Sequence, residues 1–117
     1  MALSFDDFVS ILKSHLTADE RANGVAYAAE TPLAAGTQLQ FPGTLIEVSA
    51  EAYLAFIDRQ PMANWGHSAR YLLISRDKGE SQSFETRFPP FRPGGNLRWH
   101  VVHKAASAPD AAVAFPQ

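Results

Sequence analysis

The segment ARYLLIS–RDKG–SQSFETRF, residues 69–88, constrains the fold more than any other part of the chain. Ala69–Ser75 is apolar at its centre on both sides, as an interior strand must be. Asp77-Lys78-Gly79 then supplies a turn. Ser81–Phe88 alternates, with Phe84 and Phe88 on one side and Ser81, Ser83, Glu85 and Arg87 on the other. Two such runs across a glycine-bearing turn read as a β-hairpin. Pro89-Pro90 stops the second strand, because proline has no N–H to donate to a ladder.

The segment FRPGGN at 91–96 reverses the chain, and LRWHVVHK at 97–104 alternates again. Leu97, Trp99 and Val101 fall on one face; Arg98, His100, Val102 and Lys104 fall on the other. Trp99, and Trp65 in the loop PMANWGHS, are expected to be buried, each being the bulkiest apolar residue of its segment.

Helices are signalled at the N-terminus. Ser4 and Asp7 form a capping box, Leu3 and Phe8 a hydrophobic staple, and Phe5, Phe8, Val9, Leu12 and Leu16 recur at helical spacing. Thr17 and Glu20 repeat the capping pattern, predicting a short helix over 18–22 that Asn23-Gly24 ends. VAYAAE at 25–30 reads as a strand, with an alanine-rich helix as the alternative; TPLAAGTQLQFPG reads as loop, and TLIEV at 44–48 as strand. Ser49 and Glu51, followed by Ala50, Tyr53, Leu54 and Ile57 at i, i+3, i+4, i+7, predict a mid-chain helix over 50–59.

The expected fold is therefore α+β: a mostly antiparallel sheet of four or five strands packed on an N-terminal helix and a short mid-chain helix. Residues 1–104 form the single domain, and the Ala/Pro-rich stretch 105–117 is expected to be a flexible tail.

Composition narrows the chemistry. The 117 residues include no cysteine, which removes disulfides, thiolate metal sites and cysteine nucleophiles. No segment approaches the roughly 20 apolar residues that span a bilayer, and Asp6, Asp7 and Lys13 interrupt the N-terminal apolar positions, so a cytoplasmic protein is expected. Net charge is −2, but residues 1–58 hold eight acids against two bases while 59–117 hold eight bases against four acids. The second half could offer a basic surface, although a near-neutral total argues against nucleic acid as the partner.

Motifs exclude more than they assign. No glycine-rich phosphate loop occurs, and Ser10-x-x-Lys13 lacks the partner motifs of acyl-transferring enzymes. His100 and His103, three apart on a strand, are expected on opposite faces and so unable to share an ion; no metal and no cofactor is called for. His67 sits at a strand start with no carboxylate close by in sequence to orient it.

Two functions follow. The first is a non-catalytic protein-binding or self-associating module that engages a protein partner, or itself, through a basic sheet face made of Arg87, Arg98, His100 and Lys104, or through an edge strand. The alternative is a small enzyme using His67 with His100 or His103 as acid–base groups, and Arg92 or Arg98 as an anion clamp. Convergence of these histidines on one pocket separates the two.

Overall fold

A computed structural model describes residues 2–41, 43–63, 66–90 and 97–108. Two helices, α1 (Phe5–His15) and α2 (Ala18–Asn23), precede seven strands: β1 (Val25–Ala29), β2 (Gln38–Phe41), β3 (Thr44–Glu47), β4 (Ala52–Asp58), β5 (Ala69–Ser75), β6 (Ser81–Thr86) and β7 (Trp99–Lys104). The fold is α+β, as expected. Five strands form one antiparallel sheet in the order β6-β5-β4-β1-β7, while β2 and β3 form a separate two-stranded hairpin.

Both helices start on complete capping boxes. Ser4 Oγ accepts from Asp7 N while Asp7 Oδ2 accepts from Ser4 N, and Thr17 and Glu20 do the same for α2. The Ser4 amide, aimed at an ionised acceptor, holds the Asp7 carboxyl below its usual range.

The large sheet is covered on both faces. Phe8, Leu12 and Leu16 of the helical layer pack on Ala26, Ala28, Tyr53, Ala55, Ile57, Leu72 and Ile74. Phe8 stacks on Tyr53 with ring centroids 4.7 Å apart. The opposite face carries Val25, Tyr27, Leu54, Phe56, Tyr71, Leu73 and Trp99, which pack with Phe41, Ile46 and Val48 of the hairpin and the residue following it. Phe41 stacks on Tyr71, again at 4.7 Å. These stacked and buried rings supply much of the apolar area removed from water.

The mid-chain helix expected over 50–59 is not formed; those residues make β4, the central strand. Every residue of Ala52–Asp58 is buried, with Leu54 and Phe56 on the hairpin side and Tyr53, Ala55 and Ile57 on the helix side. Ala50, Tyr53, Leu54 and Ile57 fit a helical period only because the whole run is apolar, and a strand covered on both faces has no polar side to reveal its period. Glu51, read as a first-turn acid, instead pairs with Arg76 at 3.2 Å. Residues 38–41, read as loop, form β2.

The β5–β6 hairpin and the strand reading of residues 25–30 match the structure, and Gly79 takes the positive φ of 72° that its turn needs. Residues 105–108, assigned by sequence to the tail, pack against the domain. Ala105 N donates to Gly24 O, and Ser107 Oγ donates to Ala22 O. The remainder of the tail lies outside the described residues, as does Trp65, while Trp99 is buried.

Candidate functional site

The four residues expected to form one basic surface do not meet. Strands β6 and β7 are the two outer edges of the sheet, with β5, β4 and β1 between them. Following one another in sequence suggested that they pair, but the 87–98 connection carries the chain from one edge to the other. Arg87, just past β6, donates to Gly66 O at 2.7 Å. On the far edge Arg98 is exposed and precedes β7, its carbonyl accepting from Glu30 N.

A bulge then splits the remaining residues. Tyr27 pairs with Val101 but Ala26 pairs with His103, so Val102 is an extra residue in β7. Beyond it the faces exchange. Lys104 pairs with Val25, whose side chain belongs to the hairpin-side core, whereas His100 and His103 pair with Ala28 and Ala26 of the helix-side core. Residues directly opposite share a face, so His100 and His103 lie on the same side and Lys104 on the other. Strict alternation predicted the reverse.

The two histidines nevertheless hold different partners. His100 Nε2 lies 3.1 Å from Glu30 Oε1 with its ring edge-on to Phe5, and His103 Nε2 lies 2.9 Å from Arg21 O. Lys104 Nζ donates to Ala108 O.

His67 has the carboxylate that its neighbours in sequence lack. Its Nε2 lies 2.7 Å from Asp58 Oδ1, both residues being buried, and the same oxygen accepts from Gln60 N at 3.0 Å. Antiparallel pairing of Asp58 with Ala69 brings the two together across the β4–β5 connection, a contact that reading 50–59 as a helix hid. Asp58 shares the hairpin-side face with Val25 and Ala69, while His103 occupies the helix side and His100 the other end of β7. The three histidines thus do not converge. None of them lines the cleft of about 600 Å³ between α2 and residues 59–63, nor that of about 360 Å³ beside Thr86 and Phe88. The pair pins the chain that leaves β4. Arg92 lies outside the described residues.

What the fold does gather is a charged cluster that the sequence reading did not single out. Glu20, only 1% exposed, accepts from Arg70 Nε and Nη2 at 2.9 and 2.8 Å and from Arg59 Nε at 3.0 Å. Arg59 forks onto Glu85 through Nη1 and Nη2 at 2.5 and 2.9 Å and reaches Ser68. Burial pushes the Glu20 carboxyl up, but the arginines and the Thr17 amide more than offset it and hold it below its usual range. Arg59 likewise lowers Glu85, and Glu85 raises Arg59. Two arginines against two glutamates leave no net charge to recruit an anion. The cluster ties α2 to β4, β5 and β6.

The two sheet edges differ in kind. Strand β7 carries a bulge, two histidines and Lys104, the features that discourage a further strand. Strand β6 pairs with β5 in unbroken register from Ala69↔Thr86 to Ile74↔Ser81, and Glu85 is its sole charged residue. Ser75 N donates to Glu80 O in line with that register, so Glu80 faces β5. Main-chain groups alternate along an antiparallel strand. Gln82, Phe84 and Thr86 therefore also face β5, while Ser81, Ser83 and Glu85 turn both N–H and C=O outward. Among the described residues no strand pairs with that edge.

Among the described residues no helix is long and apolar enough to cross a membrane, and no group of three or more potential ligands is placed to hold a metal. Comparisons with protein-family models, with curated proteins and with solved structures find no match.

Proposed function

We propose that this chain is a non-catalytic docking module of the cytoplasm that takes up an extended protein segment along the outer edge of β6. The observation that carries this reading is the inequality of the two edges: β7 is bulged and carries Lys104, whereas β6 offers three alternate residues, Ser81, Ser83 and Glu85, facing outward in regular register. Main-chain hydrogen bonds to such an edge provide affinity with little dependence on sequence, and neighbouring hollows select side chains. The cleft beside Thr86, Arg87 and the exposed Phe88 lies at one end of this edge. Acid–base catalysis by His67 with His100 or His103 has less support, because His67 pairs with Asp58 on the hairpin-side face whereas His100 and His103 lie on the helix side.

Random peptides displayed and panned on the folded chain test the reading. Recovered ligands should slow amide exchange at Ser81, Ser83 and Glu85, and should be lost with Ser83→Pro. Proline there removes an outward N–H and leaves the β5–β6 ladder intact. Ligands that protect β7 instead, or that bind Ser83→Pro unchanged, would overturn the assignment.

A further inference from the structure

The occupant of the β6 edge can be named from the strand itself. We infer that it is β6 of a second copy, paired antiparallel about a two-fold axis through Ser83; this rests on β6 being the docking edge. A two-fold axis perpendicular to a sheet leaves every residue on its own face, and residues directly opposite across an antiparallel pair share a face. Opposed positions must then be separated by an even number, so the axis passes through a residue.

Centring on Ser83 sets Ser83 against itself and Ser81 against Glu85 in both directions. All three are outward-facing, so every outward N–H and C=O of β6 finds a partner, giving about six interchain hydrogen bonds by the alternation rule. Centring on Phe84 instead sets Ser81 against Arg87, which lies beyond the strand and whose carbonyl already accepts from Gly66 N. Centring on Glu85 would oppose two carboxylates. The Ser83 register alone uses the whole edge without a like-charge contact.

Side chains agree with this register. Glu85, the one charged residue of β6, faces the Ser81 hydroxyl of the second copy, a donor suited to a carboxylate. Its charge is already balanced by Arg59, so the two copies do not repel there. Gln82 faces Phe84 on the hairpin side. The result is one continuous sheet of ten strands.

Sedimentation equilibrium of the full chain over a wide concentration range, with Ser83→Pro alongside, tests this. Wild type should form a dimer, and Ser83→Pro should sediment as a monomer while still unfolding cooperatively. Because the chain has no cysteine, single replacements report the register even if the proline variant fails to fold. Ser83→Cys should cross-link to itself under mild oxidation. Ser81→Cys should not, its thiols lying about 13 Å apart at roughly 3.3 Å per residue. A monomeric wild type, a dimeric Ser83→Pro, or equal cross-linking of both cysteine variants would overturn the proposal. A monomer that still binds displayed peptides in a manner sensitive to Ser83→Pro removes only the second copy as occupant. A monomer that binds none removes the docking edge as well.

Discussion

Glu20 and Arg70, fifty residues apart, meet in a buried fork of two N–H···O bonds at 2.9 and 2.8 Å. The carboxylate belongs to a six-residue helix too short to be stable alone, and the guanidinium to an interior strand. The pair therefore joins the helical layer to the sheet. Replacing Glu20 with Gln leaves Arg70 charged and poorly matched in a buried site, which should cost about 3–5 kcal/mol. Urea unfolding monitored by circular dichroism measures it; a loss below about 1 kcal/mol would mean that the cluster is solvated.

The same cluster sets a pH dependence. The Glu20 and Glu85 carboxyls sit lower in the folded chain than their ordinary value of 4.5. An unfolded chain therefore takes up protons at these positions before the folded one does. Their stabilisation is fully present at neutral pH, begins to decline as pH falls through about 4.5, and is gone below the folded values. Urea midpoints collected from pH 7 to 3 should fall over that window. Glu20→Gln should show a shallower fall.

Trp99 anchors β7 to the hairpin-side core. It pairs with Ala29 at one end of β1 and is almost wholly buried. Trp99→Ala should cost about 3–5 kcal/mol, the usual penalty for emptying a large aromatic site. In a Trp65→Phe background the remaining tryptophan should emit at short wavelength when folded; emission near that of free tryptophan would contradict its burial.

Asp58 and His67 provide a more local test. Asp58→Ala removes the carboxylate oxygen that both His67 Nε2 and Gln60 N face. A loss of about 1–3 kcal/mol is expected. Limited proteolysis should then cut within residues 59–67 sooner than in wild type. Resistance equal to that of wild type would show that the pair does not pin this segment.

Gly24 is required for space. Its φ of −98° is ordinary, but a Cβ built there would lie 2.7 Å from Glu20 O and 2.9 Å from Asp58 O. Both are backbone atoms, so α2 would have to move away from the end of β4. Gly24→Ala should lower stability by about 1–3 kcal/mol, in the range of overpacked sites, and a melting temperature equal to wild type would refute the close approach.

The parts of the fold legible in sequence are those whose signals are local. Ser4 with Asp7 and Thr17 with Glu20 each announced a helix start, because a capping box spans only four residues. The β5–β6 hairpin was legible from its alternation and from Gly79. Strand β4 was not, since burial on both faces erases the period that distinguishes strand from helix. Nor was the separation of β6 from β7, which depends on β1 inserting between β4 and β7. For the site, the edge strand appeared in the sequence reading, but the expected basic face dissolved because β6 and β7 lie at opposite edges of the sheet and the extra residue Val102 turns Lys104 to the other face from His100. One uncounted bulge residue reverses every side chain after it. Arg70 beside Glu20 is a product of pairing across fifty residues, and Asp58 beside His67 of the β4–β5 pairing that a helical reading of 50–59 hid.

That extra residue in β7 also bears on how far assembly can proceed. A sheet with two receptive edges can add copies without end and grow into a fibril, whereas one with a single receptive edge cannot pass growth through itself. Val102 breaks the regular register of β7 against β1, and His100, His103 and Lys104 crowd the same stretch. If a strand engages β6 as proposed, an irregular β7 at the opposite edge would leave the assembly without a second regular edge on which to grow.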